Sequence, residues 1–214
     1  MTHARSLAVA VWCGAALPAA AHPHIFVETG LEVLLDAQGR ATAVRVTWEY
    51  DELYSFLITE EMGLDDDYDG QLTEAERERL VGFDLNWLPD FEGDLYAHTD
   101  GAPLALDRPL AVDARFEDGK IVTVHDRPIA APPPPGKALV LEAYDPTFYT
   151  LYEVTLGVQV AGEGCEIEHR PADIAAATDL LEEALFGLPE EPEDFPAVGA
   201  AFADKIVVRC GAAG

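Results

Sequence analysis

The clearest chemical pattern in the chain is a run of carboxylates at alternate positions within residues 65–76, which read DDDYDGQLTEAE. Gly70 follows the third of them, where a calcium-binding loop of this type turns sharply, and Glu76 stands where two carboxylate oxygens close such a loop. Ca²⁺ takes about six to eight oxygen ligands, and this pattern supplies them from one short segment. The predicted calcium ligands are Asp65, Asp67, Asp69, Gln71 through its carbonyl, Thr73 through water, and Glu76.

A second interpretation of the same segment requires no metal. Thr73 and Glu76 have the spacing of a helix capping box, in which each side chain binds the backbone N–H of the other residue. Capping does not account for three acidic residues at alternate positions before a glycine, because their like charges repel. We therefore predict a calcium site. We expect it to be single and structural, since Glu60, Glu61 and Asp84 interrupt the apolar pattern of a paired EF-hand.

Two histidines, His22 and His24, flank Pro23 and form a second candidate metal site. In an extended chain their side chains point to the same side, and paired imidazoles suit Zn²⁺, Ni²⁺, Co²⁺ or Cu²⁺. Asp51, at the start of the next segment, is a candidate oxygen ligand for this site, and its alternative role is a helix N-cap. The alternative for the histidines is an exposed terminus where they bind nothing.

Residues 1–21 read MTHARSLAVAVWCGAALPAAA and have the order of a secretory signal peptide. A weakly basic start is followed by an apolar run from Leu7 to Leu17 and by small residues at 19–21. We predict cleavage before His22 and export of the remaining chain. The alternative is a buried amino-terminal helix. Cleavage at this point would give the free amine of His22 as a third nitrogen ligand beside the two imidazoles.

Removal of this segment leaves two cysteines, Cys165 and Cys210. An even pair in an exported chain favours a disulfide. A pair of metal thiolates is the alternative, and it is disfavoured because the two cysteines are isolated and lack C-x-x-C spacing.

The charge balance excludes several classes of partner. The 214 residues contain 13 Lys+Arg against 40 Asp+Glu, which gives a formal net charge of −27. Such a chain repels the phosphates of nucleic acids and of anionic lipids. Metal ions are its natural partners, and no nucleic acid is expected. No apolar run reaches the roughly 18 residues that are needed to cross a bilayer.

Apolar periodicity predicts an α+β fold. Residues 24–35 and 40–50 form a predicted hairpin, and residues 51–88 form an EF-hand-like helix–loop–helix insertion. Further predicted elements are strands at 93–99, 110–117, 119–126, 138–144 and 147–161, a helix at 172–186, and a strand at 205–209. The expected architecture is a mainly antiparallel β body with this insertion and a C-terminal helix plus strand, in a single domain over residues 22–214.

Four segments occur in an order that resembles a known family: HPHIFV at 22–27, WEYDE at 48–52 with Ser55, the loop at 65–76, and YDPTFY at 144–149. Together they resemble the periplasmic family called domain of unknown function 1007, over nearly the whole exported chain. Tyr50 departs from the phenylalanine that is usual in the family. The resemblance implies a periplasmic accessory protein for zinc, nickel or cobalt transport, with His22 and His24 as ligands. No catalytic residues carry over.

The resemblance also implies an inner-membrane NicO-type permease as partner, on a separate chain because no permease segment follows here. Our leading hypothesis is a periplasmic metal-binding accessory protein, not an enzyme, that captures Zn²⁺ (or Ni²⁺/Co²⁺) with His22 and His24 and is rigidified by Ca²⁺. The alternative is a calcium-stabilised structural adaptor that docks on the permease without carrying metal. A minor alternative is a copper enzyme with a histidine brace, which needs a third nitrogen ligand nearby.

Overall fold

The computed structural model describes residues 23–88, 91–188 and 195–211. The predicted signal peptide, His22 and most of the acidic, proline-rich stretch at 189–196 lie outside the described residues. Within the described part of the chain, no helix is both long enough and apolar enough to span a bilayer.

The chain begins with the predicted hairpin, which consists of strands β1 (Ile25–Leu35) and β2 (Ala41–Tyr50). Asp36 fixes the turn between them, because its carboxylate accepts the backbone N–H groups of Gln38 and Arg40, both at 2.9 Å. Asp36 is therefore the sequence signal for the turn, because its side chain makes local Asx-type hydrogen bonds.

The other elements follow in chain order. The insertion contains helices α1 (Glu52–Met62) and α2 (Glu74–Leu80) and a 3-10 turn (Phe83–Leu85). The next strands are β3 (Leu95–Thr99), β4 (Ala102–Leu104), β5 (Leu110–Glu117), β6 (Lys120–Pro128), β7 (Leu139–Ala143), β8 (Thr150–Glu153), β9 (Val158–Ala161) and β10 (Cys165–Arg170). Helix α3 (Ile174–Leu185), a 3-10 turn (Gly199–Phe202) and strand β11 (Lys205–Cys210) complete the described fold.

These strands form two sheets. The first has the order β5-β6-β2-β1-β8, with β9 also paired to β1, and the second has the order β10-β11-β7-β3-β4. Neighbouring strands are antiparallel, except that β8 and β9 run parallel to β1. The predicted α+β class and its mainly antiparallel body are confirmed.

One hydrophobic cluster joins the two sheets. On β2, Val44, Val46 and Trp48 are at most 3% exposed, as the alternation of this strand predicts. They share their cluster with Leu139 and Leu141 of the second sheet. The sheets therefore pack as a sandwich around a common core.

The helical insertion is fastened to the first sheet by polar and apolar contacts. Ser55 of α1 is fully buried, and its hydroxyl accepts the backbone N–H of Ile121 in β6 at 2.9 Å. Arg77 of α2 donates to the carboxylate of Asp113 in β5 at 2.8 Å. Leu80 of α2 is fully buried in the core cluster. The loop between α1 and α2 is thus held against the sheet through both of its helices.

The C-terminal part of the fold carries the predicted disulfide. Cys165 and Cys210 are bonded, and they face each other across β10 and β11 with Cα atoms 4.0 Å apart. Helix α3 covers a second, smaller cluster with Ala177 and Leu181. The helix buries only part of its apolar residues, because Ile174 at its start is 55% exposed.

The strands differ from the prediction in the C-terminal half. The prediction of one strand at 147–161 is wrong, because the chain crosses from one part of β1 to the next near Gly157 (φ 94°) and forms β8 and β9 separately. Strand β10 is not predicted, since its apolar alternation is limited to Cys165 and Ile167, and five of its six residues are exposed. The three-residue β4 is too short to give a pattern.

Candidate metal centre

The acidic segment at 65–76 lies between two helix ends that are tied together. Helix α1 ends at Gly63, which adopts the left-handed conformation (φ 56°). Helix α2 begins after its N-cap Thr73. Arg79 of α2 reaches back and donates to the carbonyl oxygens of Met62 and Gly63. These hydrogen bonds from Arg79 hold the two ends of the loop together without a metal ion.

The predicted ligands at loop positions one, three and five are brought together. One carboxylate oxygen from each of Asp65, Asp67 and Asp69 lies within 4.8 Å of the other two, and we call these residues the aspartate cluster. The Asp65 carboxylate accepts the backbone N–H groups of Asp69 at 3.0 Å and Gly70 at 3.2 Å, so the chain curls around it. A hard divalent cation with oxygen ligands suits this arrangement, because carboxylates at such separations repel unless they are neutralised.

Three residues of the loop have a left-handed backbone: Asp65 (φ 53°), Tyr68 (φ 55°) and Gly70 (φ 76°). A Cβ atom on Gly70 would meet no atom within 4 Å. Glycine is therefore favoured here by its conformation and not by lack of space. This agrees with the sharp turn that the sequence predicts at this position.

Glu76 serves both interpretations of the segment. Its carboxylate accepts the N–H of Thr73 at 2.8 Å and the hydroxyl of Thr73 at 2.6 Å, and the Thr73 hydroxyl oxygen accepts the Glu76 N–H, so the capping box is confirmed. The same carboxylate accepts the Asp65 N–H at 3.1 Å, which brings it next to the aspartate cluster. The hydrogen bonds from Thr73 lower the pKa of Glu76, so this carboxylate is held as an anion at the edge of the cluster.

Gln71 and Thr73 complete the predicted ligand set. The N–H of Gln71 donates to the carboxylate of Asp69 at 2.8 Å, which fixes the backbone where its carbonyl would serve as a ligand. Its role and that of Thr73, reached through water, stay predictions.

His24 is the member of the predicted histidine pair that falls within the described residues, and its side chain is exposed. Its N–H donates to the carbonyl of Tyr149 at 2.8 Å, and its ring packs on that of Tyr149 with centroids 4.7 Å apart. Tyr149 follows the turn at Asp145, whose carboxylate accepts the N–H of Thr147 at 2.8 Å. The chain around His24, which we call the amino-terminal edge, is thus held against the segment that contains Tyr149.

Asp51 lies beside the same edge, but backbone groups engage both of its carboxylate oxygens. Oδ1 accepts the N–H of Tyr54 at 2.9 Å and caps α1, and Oδ2 accepts the N–H of Phe26 at 2.9 Å. The alternative role as a helix N-cap is confirmed. A metal-ligand role for Asp51 would have to use its remaining lone pairs, and it stays a prediction.

The other histidines have different surroundings. His98 lies 3.6 Å from Glu142, and His169 lies 2.6 Å from Asp204. His125 is fully buried in the core. Over residues 23–88, 91–188 and 195–211, the aspartate cluster is the only set of three or more His, Cys, Asp or Glu residues whose ligand atoms are close enough to share one ion.

Strand β6 carries buried polar side chains that the sequence analysis does not identify. Thr123, His125 and Arg127 occupy alternate positions and are at most 2% exposed. Their period of two, shared with the apolar Ile121, is the signal that places them inside, because alternate residues of a strand share a face.

Two carboxylates accompany them, of which Asp84 is partly buried and Asp94 is buried. Asp84 accepts the hydroxyl groups of Tyr50 at 2.9 Å and Thr123 at 2.7 Å, and burial raises its pKa. Asp94 accepts the hydroxyl of Tyr152, and burial raises its pKa to about 7. Hydrogen bonds to hydroxyl groups partly offset the cost of burying each carboxylate.

Aromatic rings enclose the remaining members of this buried set. The centroid of the His125 ring lies 4.6 Å from that of Trp48 and 6.1 Å from that of Trp87. Burial lowers the pKa of His125 to about 3. The Arg127 guanidinium lies 4.8 Å from the Trp87 ring and donates to the carbonyl oxygens of Glu92 and Gly93. These groups fix the segment that joins the insertion to β3, and we assign them to the fold.

A comparison with family models gives one match, described as protein of unknown function (DUF1007), over residues 7–210. The matched range includes the acidic loop, His24 and both disulfide cysteines. A comparison with curated proteins gives no match.

Proposed function

Since the chain belongs to the DUF1007 family, whose function is unknown, we propose that it is an exported metal-binding accessory protein. The loop at 65–76 holds a structural Ca²⁺, and the amino-terminal edge takes Zn²⁺, Ni²⁺ or Co²⁺ with His22 and His24. The partner is an inner-membrane NicO-type permease, as the resemblance implies. The observation that carries the proposal is the convergence of three aspartate carboxylates within 4.8 Å in a loop with calcium-binding spacing.

The calcium part is supported by several features of one EF-hand-like segment. The backbone is left-handed at Gly70, where the spacing predicts a sharp turn. Glu76 stands at the closing position as an anion and already contacts the Asp65 N–H. Outside the cytosol, where calcium is abundant, an affinity of about 10⁻⁵–10⁻³ M is enough for such a site.

The location outside the cytosol is supported by the disulfide. A bond between Cys165 and Cys210 persists in an oxidising compartment and is rare in the reducing cytosol. Together with the predicted signal peptide, this bond favours the periplasm.

The transition-metal part is supported by the surroundings of His24. The side chain is exposed, and contact with Tyr149 restricts its ring, so metal binding would cost it less conformational entropy. The large excess of carboxylates raises the local concentration of cations around this edge.

One observation favours a second candidate function, a calcium-stabilised adaptor that docks on the permease without carrying metal. Both oxygens of Asp51, a predicted ligand, already accept backbone N–H groups, so this carboxylate is less available to a metal ion. In this function the two histidines make protein contacts. The copper enzyme stays a minor alternative, because its histidine brace would use His22, which lies outside the described residues.

Calorimetric titration of the chain that begins at His22, in excess Ca²⁺, separates the two candidates. Zn²⁺, Ni²⁺, Co²⁺ and Cu²⁺ are titrated into the wild type, a His22→Ala/His24→Ala variant and a His98→Ala/His169→Ala control. Metal carriage predicts binding of one ion at micromolar or lower Kd, lost in the first variant and kept in the control. Weak binding at many sites, equal in all three proteins, would contradict metal carriage and support the adaptor.

A further inference from the structure

Helix α1 presents apolar side chains on both of its faces. On the inner face, Tyr54, Ile58 and Met62 pack against the core cluster. The outer face carries three large side chains that are more than half exposed: Leu53 at 66%, Phe56 at 52% and Leu57 at 54%. A surface helix is ordinarily polar on the side that faces water. The outer face of α1 is therefore unusually apolar for a helix face that is exposed to water.

The three exposed side chains are contiguous. Leu53 is three residues from Phe56 and four from Leu57, the two spacings that place side chains next to each other on a helix. We call this set the α1 outer strip. Helix α3 also has exposed apolar residues, but Ile174 and Leu180 are six residues apart and lie on different sides of the helix.

Acidic groups surround the α1 outer strip. Glu52, Glu60 and Glu61 are exposed, and the sequence of α1 contains no Lys or Arg. Two of these carboxylates stand in the last turn, at the negative end of the helix dipole, where negative charge is unfavourable. Tyr68, which is 71% exposed, donates its hydroxyl to the carboxylate of Glu60 in the last turn of α1.

We propose that the α1 outer strip is a docking surface for a protein segment that presents apolar side chains together with Lys or Arg. Burial of Leu53, Phe56 and Leu57 would supply the hydrophobic part of the interaction. Glu52, Glu60 and Glu61 form the acidic rim of the strip. Cations on the segment would neutralise this rim, including the carboxylates that the helix dipole disfavours.

Charge decides between this occupant and two others. An anionic lipid surface repels a chain with a net charge of −27. A second copy of the chain, related by a two-fold axis, would bring each acidic rim against an equivalent acidic rim. A basic, apolar protein segment is the occupant that both the strip and its rim favour.

This inference deepens the proposed function, and it rests on that function only for the existence of a protein partner. It names the surface of the chain that such a partner would contact and the side chains that the partner would bring. It does not depend on metal at either candidate site, because the strip is formed by α1 alone.

The test uses a synthetic amphipathic helical peptide with a leucine face and a lysine face. A second peptide has the same lysines, and glutamine in place of each leucine. Both are titrated into the wild-type chain by calorimetry at about 150 mM salt, where long-range charge effects are screened beyond about 8 Å. We expect the leucine peptide to bind at least about tenfold more tightly, and its amide shift changes in the NMR spectrum to centre on α1.

Two variants with the same charge as the wild type localise the interaction. Leu53→Gln/Phe56→Gln/Leu57→Gln removes the strip but keeps good helix formers, and Ile174→Gln/Leu180→Gln is the control on α3. We expect the first variant to lose at least about tenfold in peptide affinity and the control to lose nothing. Equal affinity in both variants, or shift changes spread over the acidic surface, would overturn the proposal.

Two further measurements separate this inference from its alternatives. Vesicles of phosphatidylglycerol and phosphatidylcholine test the lipid surface, and binding of these vesicles but not of the leucine peptide would overturn a protein partner. Calcium and zinc titrations of the triple glutamine variant are expected to match the wild type. Docking and metal binding can therefore each fail without the other.

Discussion

The hydroxyl of Tyr152 donates a 2.9 Å hydrogen bond to Oδ2 of Asp94 in the interior of the sandwich, where Asp94 is 6% exposed. Burial is the main cause that raises the pKa of Asp94 to about 7, and the hydrogen bond opposes it. A buried carboxyl group that titrates near neutrality makes the stability of the fold depend on pH.

Replacement of Asp94 by asparagine tests this relationship. Between about pH 4 and pH 7 the folded chain keeps a proton on Asp94 that the unfolded chain releases, so this residue lowers the free energy of unfolding as pH rises. Asparagine carries no charge and tolerates the left-handed backbone at this position (φ 53°). In urea unfolding, we expect the free energy of unfolding of Asp94→Asn to exceed that of the wild type by roughly 1–3 kcal/mol at pH 8 and by less near pH 4. If the variant and the wild type differed in free energy of unfolding by the same amount at both pH values, Asp94 would not be the source of the pH dependence.

His125 gives a pH dependence of the opposite sign. Burial lowers its pKa to about 3, whereas an unfolded histidine titrates near 6.5. Between these values the unfolded chain binds a proton that the folded chain does not, so this residue lowers the free energy of unfolding as pH falls from about 6.5.

A His125→Phe variant removes this titration and keeps a ring between Trp48 and Trp87. Neither nitrogen of His125 has a hydrogen-bond partner among the described residues, so the change costs no hydrogen bond within that part of the chain. We expect stability at pH 7 within about 1 kcal/mol of the wild type and a smaller loss on going to pH 4. Urea unfolding at the two pH values measures this, and equal losses in both proteins would show that His125 is not the source.

Gly93 is predicted to be intolerant of any side chain. It adopts a left-handed backbone (φ 79°), and a Cβ atom there would overlap the Trp87 ring. Gly119 has almost the same backbone (φ 80°), but a Cβ atom there would meet nothing within 4 Å. We expect Gly119→Ala to cost about 1 kcal/mol and Gly93→Ala about 3 kcal/mol or more in urea unfolding. Similar costs for the two variants would mean that the packing around Gly93 is looser than the geometry indicates.

The capping role of Glu76 and its proposed role in calcium binding can be separated by a single substitution. Glutamine still completes the capping box with Thr73 but lacks the charge and the second carboxylate oxygen for calcium. We expect Glu76→Gln to change stability without calcium by less than about 0.5 kcal/mol and to weaken calcium binding at least about tenfold. Thermal unfolding and calorimetry measure the two effects, with Glu76→Ala as the variant that loses both. Calcium affinity unchanged in Glu76→Gln would leave Glu76 as a cap alone.

The parts of the fold predicted from the sequence are those in which the signal is local. The hairpin of β1 and β2 follows from alternation and from the turn at Asp36, all within one short stretch. The division of residues 147–161 into β8 and β9 depends on their pairing with β1, which is far away in the chain. Strand β10 is defined by its pairing with β11 and by the disulfide, and its own apolar alternation, limited to Cys165 and Ile167, is too short to predict it.

The candidate site divides in the same way. The ligand set of the acidic loop is contiguous, so spacing alone predicts that Asp65, Asp67 and Asp69 converge. Asp51 is different, because one of its two hydrogen bonds goes to Phe26 on another strand. The burial of Asp94 depends equally on the strand that carries Tyr152. Such contacts arise from strand pairing and packing, and local periodicity does not encode them.

Calcium titration by calorimetry of the chain that begins at His22 tests the central claim most directly. The wild type is compared with Asp65→Asn/Asp67→Asn/Asp69→Asn, and with a control of the same charge change at exposed acids outside the loop, Glu78→Gln/Asp118→Asn/Asp179→Asn. A calcium site in the loop predicts one saturable ion per chain, with a Kd of about 10⁻⁵–10⁻³ M, kept in the control and lost in the triple aspartate variant. Absence of saturable binding in the wild type, or equal binding in all three proteins, would contradict it.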